Sequence, residues 1–564
     1  MKINQTEVSS FLLKVTIVVI FFFYHNFAYA YQSGYEKLSK PFRDKWISLL
    51  HYEDGRSVIN SDSNFFLSSR GNTDPALELL ATIDFFDKKE SNQCFYPARY
   101  YLIYGKDVYD ECTEFNDFKR FVSADKVSVI FASESVSSPV SSMGHALMLL
   151  EGKNSYGLTK AHSTSFVADS NDNPNLFFQF LSNSIVGQYT LNPYNDAIYQ
   201  YVSEEERTLW EYEVELNPNE KKWLMLHLFE LKSHKIKYSF FTHNCANGVS
   251  KILEVASNSF KFDDKSVYTT PIEYVKKINN ETDRVIGITL RPSVQEKELI
   301  NKGYELNPLK SPKTFRFGIS YYHMDIKEGR SLSDYPSNES SYNSSYIGVS
   351  NIDGLEVSFL PIISDIREEV HHKRTLNESK FLELIARGNF NSLYLREVNI
   401  INITSLSNVL TQIPKVNFGI SLNGDIDSMH TSLYPDIHVG SGISLSDYDI
   451  RPFYMFDIGS HINHHGINMY FNNTIGMFVT YKDIGRVYGG FTQVLASQKS
   501  YRNYKNTFEI NYSKNVFEDI WFNANYKMHK LSNYQDLREL SVGINIGSRR
   551  KLLVSLNLQF LKSF

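Results

Sequence analysis

The stretch that decides the fold of the N-terminal half reads Tyr238-Ser-Phe-Phe-Thr-His-Asn-Cys-Ala-Asn-Gly-Val-Ser-Lys-Ile-Leu-Glu254. An aromatic, strand-like run breaks before Asn244, and Cys245 then opens a segment whose apolar residues recur at helical spacing. A thiol in the first turn of a helix faces unpaired backbone N–H groups and the positive end of the helix dipole, and both favour the thiolate over the thiol. The pattern therefore predicts a nucleophilic cysteine, and the alternative is an inert buried one.

A cysteine nucleophile needs a base to take its proton, and His145 is the best placed of the 16 histidines. It is a polar residue in the otherwise apolar strand segment 144–150, where the glycine lets another backbone or a substrate come close. The group that orients the base is left open: Ser165 is the first choice and His162 the second, both on the next predicted strand. Asn244 is expected either to shape an oxyanion site or to cap the helix.

The first 30 residues are typical of a secretory signal peptide. Lys2 gives a positive start, residues 15–24 form an apolar core, and Ala28-Tyr-Ala30 is a small-residue cleavage site. The apolar core is short for a transmembrane helix, and no later segment supplies one. We therefore expect an exported chain that begins near Tyr31.

The C-terminal part alternates apolar and polar residues in segments typical of transmembrane β-strands. Residues 540–546 and 551–564 both alternate in this way, and the second ends on Phe564. Further alternating runs occur at 315–322, 416–422, 468–480, 486–495 and 520–528. A soluble sandwich would also alternate, but the signal peptide, the 37 Tyr and 40 Phe and the terminal aromatic residue favour an outer-membrane barrel of about 12 to 14 strands.

The composition and the net charge exclude some classes of binding site. The net charge of -5 leaves no basic surface for nucleic acid. Of the 3 cysteines, Cys94 and Cys112 lie in one small region and are candidates for a disulfide, which would leave Cys245 as a reactive thiol. Histidines at 371–372 and 461–465 lie among turn residues, and the chain has no closed Cys/His set with zinc spacing, so we expect no metal and no cofactor.

These patterns divide the chain into five parts. They are a signal peptide at 1–30, a small helical domain at 31–122, a mixed α+β thiol domain at 123–262, a linker at 263–312 and an antiparallel transmembrane β-barrel at 313–564.

The order of the motifs resembles the Lnb N-terminal periplasmic domain family, a branch of the circularly permuted papain-like (NlpC-type) fold in which the histidine precedes the cysteine. Lecithin:retinol acyltransferase-like enzymes show the same order. The matching residues are Ser142-Met-Gly-His145, Leu209-Trp-Glu-Tyr212, Glu230-Leu231 and the run from Tyr238 to Cys245. Cys94 to Arg99 is similar to a run in a helical domain that accompanies the family. Ser165 stands where such families commonly have asparagine.

The resemblance implies a thiol acyltransferase or amide hydrolase with Cys245 as nucleophile and His145 as proton carrier. Its sharpest form is N-acylation of lipoproteins from a phospholipid donor, at the outer membrane of a Gram-negative bacterium with the catalytic domain in the periplasm. Hydrolysis of peptidoglycan peptides is the first alternative. The second is a pore or adhesin in which the papain-like domain is only structural. The expected partners are therefore outer-membrane lipid and a lipoprotein or peptidoglycan peptide.

Overall fold

A computed structural model gives the fold of the chain. It describes residues 34–60, 64–108, 112–135, 141–154, 156–169, 185–232, 234–239, 242–262, 269–310, 315–327, 351–360, 362–368, 376–389, 392–409, 415–424, 433–446, 449–463, 466–481, 484–496, 504–517, 520–531 and 536–547. The predicted signal peptide at 1–30 and the predicted last strand at 551–564 lie outside these residues.

Four helices and a short hairpin form the first part of the globular region. They are α1 Lys40–Leu49, β1 Tyr52–Glu53, β2 Arg56–Ser57, α2 Pro75–Lys88, α3 Pro97–Tyr104 and α4 Thr113–Phe121, with a 3₁₀ turn at Glu90–Cys94. Proline stands in the first turn of α1, α2 and α3, where a missing N–H costs no helical hydrogen bond. A disulfide joins Cys94 to Cys112, whose Cα atoms are 5.2 Å apart, and ties the start of α4 to the turn before α3.

A seven-stranded antiparallel sheet is the centre of the globular region, in the order β8-β6-β5-β4-β3-β7-β9. Its strands are β3 Lys126–Ala132, β4 His145–Lys153, β5 Thr159–Ala168, β6 Ile185–Pro193, β7 Leu209–Val214, β8 Ile236–Tyr238 and β9 Val285–Arg291. The helices of this part are α5 Tyr194–Ile198, a π-helix at Tyr199–Glu204, α6 Pro218–Leu231, α7 Cys245–Ala256, α8 Pro271–Glu281 and α9 Val294–Asn301. None of the helices in the described residues is long and apolar enough to cross a bilayer.

The sheet buries both faces, because alternate residues of a strand point to opposite sides. On one face, residues such as Phe131, Ala146 and Met148 pack in one apolar cluster with Val249 and Ile252 of α7. On the other face, Ile130, Ala132, Leu147 and Leu149 pack with Tyr194, Ala197 and Tyr201. Both clusters lie over β3 and β4, so these central strands are apolar along nearly their whole length.

The helical part before residue 122 packs against the sheet that follows it. Trp46 and Leu50 of the helical part belong to the same apolar cluster as Phe131 of the sheet. A buried ion group adds a second link: the Nη1 of Arg99 lies 2.9 Å from a carboxylate oxygen of Glu78, and its backbone N–H donates to Glu230 of α6. The helices complete the core of the sheet, which explains why neither stretch buries its apolar residues alone.

The predicted linker at 263–312 is also folded in its described part, 269–310. Strand β9 pairs with β7, with Leu209 opposite Arg291, and α8 places Tyr274 and Val275 in the main apolar cluster. The thiol region therefore extends past residue 262 to the end of this stretch. The sequence of 263–312 has the composition of a connecting segment. Its edge strand β9 exposes Ile286 and is too short to show a clear hydrophobic period.

Twelve long antiparallel strands close into a β-barrel. They are β10 Arg316–Lys327, β11 Asn351–Leu360, β13 Asn377–Asn389, β14 Ser392–Ser405, β15 Asn417–Gly424, β16 Leu433–Ser444, β17 Ile450–Asn463, β18 Gly466–Tyr481, β19 Gly485–Ala496, β20 Tyr504–Phe517, β21 Ile520–Leu531 and β22 Asp536–Gly547. The three-residue β12 Ile362–Ser364 lies beside β13. Closure comes from pairing of β10 with β22 and of β11 with β13. The count agrees with the prediction of 12 to 14 strands.

The barrel wall has an apolar outer side and a polar inner side, as transmembrane barrels require. Along β22, Leu540, Val542 and Ile544 are exposed on the outer side, whereas Glu539 is buried. Other exposed apolar residues are Ile319, Ile437, Val439, Ile458, Ile475, Met477, Phe491 and Ile510. The predicted alternation is therefore the in–out alternation of a barrel wall.

A short segment, Asp365–Glu368, crosses the barrel lumen, and we call it the lumen segment. Arg486 on β19 donates to the carbonyl oxygens of Ile366 and Glu368 at 2.9 and 2.6 Å. On the facing wall, the Nζ of Lys380 on β13 lies 3.6 Å from a carboxylate oxygen of Asp365. Since β13 and β19 stand opposite each other in the strand order, the lumen segment joins opposite walls.

Two further ion pairs hold the lumen segment. Arg316 on β10 pairs with Glu368, and both side chains are almost fully buried. Arg367 pairs with Glu509 on β20 at 3.3 Å. The segment is therefore bound to four strands of the wall.

The globular region contacts the barrel at the end where the chain enters it. The hydroxyl of Tyr304, after α9, donates to Asp449, which precedes β17, at 3.2 Å. Phe381, Ile401 and Ile403 of β13 and β14 belong to the apolar cluster that fills the sheet core. The two parts are thus packed together at this end.

Candidate active site

Cys245 is the first residue of α7, as the sequence predicts, and its side chain is buried with 5% exposure. It is a free thiol, because the other two cysteines form the disulfide. The helix starts here because the preceding residue, Asn244, caps it: the Oδ1 of Asn244 accepts the backbone N–H groups of Ala246 and Asn247 at 3.0 and 3.3 Å.

His145 is the first residue of β4 and follows a tight turn. Gly144 has a φ of 83°, and a Cβ added there would lie 2.6 Å from a ring carbon of Phe131 and 2.8 Å from the carbonyl oxygen of Ala132. Only glycine fits both the left-handed backbone and the narrow space. The turn therefore fixes the position of His145 at the start of β4, where it pairs with Ala132 of β3.

The sulfur of Cys245 lies beside the backbone of β4, the strand that His145 begins. The backbone N–H of Ala146, directly after His145, donates to the sulfur of Cys245. Among the described residues, the buried Nε2 of His145 has no hydrogen-bond partner.

Burial makes the thiol and the imidazole both neutral. It raises the pKa of Cys245, and the backbone N–H groups of Ala146 and Ala246 and the charge of Arg207 only partly offset this. Burial also lowers the pKa of His145 to about 3, with a smaller effect of Arg207. The helix N-terminus does favour the anion, but removal of the sulfur from water has the larger effect.

In general, a neutral thiol and a neutral imidazole can react by general-base catalysis, in which the base takes the proton as the sulfur attacks.

The two candidates for the third residue lie at different places. By the register of β4 and β5, Leu149 faces Ser163 and Leu150 faces His162. His162 is thus five residues along the strand from the level of His145, about 17 Å, and lies on the other face. Ser165 is on the face of His145 and is buried with 8% exposure. The register therefore puts Ser165, one residue beyond the Met148–Thr164 pair, on the face of His145, and it puts His162 on the other face.

The amide of Asn244 is occupied by structure. Its Oδ1 caps α7, and its Nδ2 donates to the carbonyl oxygen of Thr269 at 2.8 Å. Of the two roles expected for Asn244, the geometry shows the capping role.

Two residues at this site were not predicted from the sequence, Tyr201 and Arg207. The ring of Tyr201 lies 5.8 Å from that of His145, and the guanidinium of Arg207 lies 4.9 Å above the Tyr201 ring. Arg207 ends the acidic run Glu204–Glu206, which has the pattern of a solvated surface segment. The only sequence signal is that Arg207 directly precedes the strand of the Leu209-Trp-Glu-Tyr motif.

A second charged group lies beside the cysteine loop. The Nε2 of His243 lies 2.8 Å from Glu53, and the Nζ of Lys251 lies 2.9 Å from the other oxygen of the same carboxylate. Burial would raise the pKa of Glu53, but these hydrogen bonds and charges lower it to about 2. The group fastens the loop before α7 to the β1–β2 hairpin.

No cluster of three or more metal-ligating side chains occurs within the described residues. His371, His372, His464 and His465 lie outside them.

Two protein-family models match separate parts of the chain. Residues 114–281 match the family model of the Lnb N-terminal periplasmic domain, and residues 38–106 match that of a domain of unknown function (DUF7843). No match was found among curated proteins.

Solved structures similar to the chain include a mutant of the Rh. blastica porin, with 8% identity over 41% of this chain and 98% of that one and a TM-score of 0.18. Another is Ail, the attachment invasion locus protein of Yersinia pestis, with 9% identity over 42% and 98% and a TM-score of 0.12. Scores this low add nothing to the barrel that the strand register shows directly.

The domain match and the closed barrel fit an outer-membrane protein with a periplasmic domain. Residues 114–281 are thus similar to the Lnb N-terminal periplasmic domain, and the chain joins this stretch to a closed twelve-stranded β-barrel.

Proposed function

We propose that this protein is a cysteine-dependent acyltransferase or amide hydrolase that its barrel anchors in the outer membrane. The observation that carries the proposal is the free, buried thiol of Cys245 at the start of α7, which receives the N–H of the residue after His145. A histidine strand that precedes a cysteine helix supports a circularly permuted papain-like fold for this region.

The proposed reaction has two steps. In the first, the Nε2 of His145 takes the thiol proton while the sulfur of Cys245 bonds to the acyl carbonyl carbon. The tetrahedral intermediate then expels the leaving group, which takes that proton, and a thioester remains. In the second step an amine or water gives a proton to His145 and attacks the thioester carbon, and the proton returns to the sulfur as the thioester breaks.

A backbone group is the proposed oxyanion donor, because the amide of Asn244 is engaged. The N–H of Cys245 is the proposed donor, because it lies in the first turn of α7, where a developing negative charge is stabilised, whereas the N–H of Ala246 already donates to Asn244. Ser165 is the proposed orienting residue for His145, since of the two buried hydroxyls on this face of β5, Ser163 and Ser165, it is the nearer to His145 along the strand.

The proposed substrate class is a fatty acyl ester of a phospholipid, with the amine of a lipoprotein as acceptor. The contact between the globular region and the entry end of the barrel supports a lipid donor, because it keeps the thiol region beside the membrane. Hydrolysis of a peptidoglycan peptide would use Cys245 and His145 in the same way, and the experiment below can reveal it. A pore is disfavoured, because the lumen segment Asp365–Glu368 is tied to opposite walls.

The test is direct detection of the acyl-enzyme. The full chain is purified in detergent from cells grown with labelled fatty acid, and the peptide that contains Cys245 is analysed by mass spectrometry before and after hydroxylamine. We expect a hydroxylamine-sensitive fatty acyl mass on Cys245 in the wild type, none in Cys245→Ala, and at least a tenfold loss in His145→Gln.

The matched control is His162→Asn, a buried histidine on the neighbouring strand that the register places away from the site. It should keep the adduct. A peptidyl adduct in place of the fatty acyl group would support the hydrolase alternative. Equal labelling of wild type and Cys245→Ala would refute the nucleophile.

A further inference from the structure

We propose that Arg207 is a positioning residue: together with the ring of Tyr201 it holds His145 beside Cys245 and supplies the positive charge that favours the sulfur anion during attack. This inference rests on the proposed function, since it assigns the support of that same dyad. It is argued from the contacts of Arg207, from the ring of Tyr201 and from the charges that surround the thiol.

The contacts of Arg207 fix the end of the strand beside the imidazole. Its Nη2 donates to the carbonyl oxygen of Ala132 at 3.2 Å, and its Nε donates to that of Ser133. Ala132 is the register partner of His145. The planar guanidinium thus holds two successive carbonyl groups of β3, which a lysine ammonium, as a single point donor, does not do with the same geometry.

The ring of Tyr201 is the second part of the support. The guanidinium carbon lies 4.9 Å from its centroid, and the ring in turn lies 5.8 Å from that of His145, at 35°. Tyr201 belongs to the π-helix Tyr199–Glu204, a rare conformation that is found frequently at functional sites. Arg207, Tyr201 and His145 therefore form a continuous row of contacts that ends at the imidazole.

The charge of Arg207 also acts on the thiol. The side chain is 2% exposed, and within the part of the chain that the structure describes it pairs with Glu205, which is 2.9 Å away and partly exposed. Three side chains on elements packed around Cys245 interact electrostatically with its thiol. They are the guanidinium of Arg207 and the neutral phenols of Tyr201 and Tyr238. Among these groups, the only cation is the guanidinium.

The backbone around Arg207 is held in an unusual conformation. Glu206, directly before Arg207, has a φ of 50°, which is uncommon for a residue other than glycine. Directly after Arg207, the backbone N–H of Thr208 donates to the Oγ of Ser133, and the backbone N–H of Ser133 donates to the carbonyl oxygen of Thr208. A strained residue beside a buried arginine that holds two carbonyl groups is typical of a site under functional constraint.

The test measures the reactivity of the one free thiol. In the unreduced full chain in detergent, iodoacetamide reacts only with Cys245, and its rate against pH gives the midpoint of thiol ionisation. Arg207→Met removes the charge, so we expect the midpoint to move upward by about 0.5 to 1 pH unit. A merely structural loss would expose the sulfur and move the midpoint downward, toward that of an ordinary cysteine.

Two further variants separate charge from position. Arg207→Lys should keep the midpoint near that of the wild type but slow formation of the thioester about tenfold, because the fork to the two carbonyl groups is lost. Tyr201→Leu keeps the charge, so it should leave the midpoint in place and slow the thioester by a similar factor. Arg284→Met, which removes a partly exposed arginine paired with Glu220, is the matched control and should change neither.

The inference is overturned if Arg207→Met leaves the midpoint unchanged or lowers it, or if Tyr201→Leu forms thioester at the wild-type rate. Should Arg207→Met fail to fold, Arg207→Lys and Tyr201→Leu still decide the positioning role. Alkylation of Cys245 does not require catalytic turnover, so the two proposals can fail separately. If the wild type forms no thioester but the midpoint of Arg207→Met is shifted, the proposed function is refuted and the charge effect of Arg207 is retained.

Discussion

Replacement of Gly144 by alanine tests whether the turn before β4 sets the position of His145. An alanine at a φ of 83° costs about 1 to 2 kcal/mol for the left-handed backbone alone. The added Cβ would also lie 2.6 Å from the ring of Phe131 and 2.8 Å from a backbone oxygen, and such overpacking costs about 1 to 3 kcal/mol. We therefore expect Gly144→Ala to lower the free energy of unfolding by about 2 to 5 kcal/mol.

Gly157→Ala is the matched control, because Gly157 has a φ of 77° but nothing within 4 Å of an added Cβ. It carries the backbone cost without the contacts, so the difference between the two variants isolates the packing at the turn. The assay is urea unfolding followed by tryptophan fluorescence, which reports mainly on the globular region because Trp46, Trp210 and Trp223 lie there. The same preparations are assayed for the Cys245 thioester.

Gly144→Ala should also slow thioester formation by tenfold or more, since a displacement of about 1 Å at a reacting group can cost about a hundredfold in rate. Gly157→Ala should form thioester like the wild type. Unfolding free energies of the two variants within about 0.5 kcal/mol of each other would refute the packing argument. A destabilised Gly144→Ala with full thioester formation would show that the turn does not control the imidazole.

Three more outcomes follow from the geometry. Because burial raises the pKa of Cys245, the thiol is protonated at neutral pH, and its alkylation rate should keep rising with pH beyond pH 8. Arg99→Met leaves the buried carboxyl groups of Glu78 and Glu230 without their cation, and it should lower the free energy of unfolding in urea by about 3 to 5 kcal/mol. The wild-type barrel should show no steady conductance in a planar bilayer, whereas Arg486→Ala, which frees the lumen segment from one wall, should give channel openings.

Each of these has its own control. A rate plateau between pH 5 and 7 would mean that Cys245 is a preformed thiolate, contrary to the effect of burial. Arg284→Met, at a partly exposed ion pair, should cost no more than about 1 kcal/mol, and an equal cost at both arginines would contradict the importance of the buried group. Arg387→Ala removes an arginine that pairs with Glu356 and Glu539 on the wall, so it should leave the lumen closed.

Local patterns predicted the elements that carry the two candidate site residues. The aromatic run into Asn244 and Cys245 predicted the helix start, and the apolar run after Gly144 predicted the strand that begins at His145. Alternation along the C-terminal part predicted barrel strands, because an in–out wall imposes a period of two at every strand. Such signals are contained within about ten residues, so the sequence alone carries them.

What could not be predicted depends on contacts between distant parts of the chain. The helix position of Cys245 favours a thiolate, but the layers that bury its sulfur come from β4 and the helical region, far away in sequence. Arg207 follows three glutamates and has the pattern of a surface residue, yet the π-helix before it carries the guanidinium into the core. Asp365–Glu368 has the composition of a polar turn, and only closure of the barrel gives it partners on opposite walls.

The seam of the barrel sets an order of assembly. Strand β10, which follows directly on the globular region, is hydrogen-bonded to β22, and Arg316 and its partner Gly547 are roughly 230 residues apart in the chain. The globular region, by contrast, makes its contacts among residues that precede the barrel, apart from those at the entry end. Because closing so long a loop is slow, the globular region can be folded while the strand edges of the barrel are still unpaired and prone to aggregate. A cell that makes this protein must therefore keep an already folded, thiol-bearing region tethered to an unfinished membrane anchor until the seam is joined.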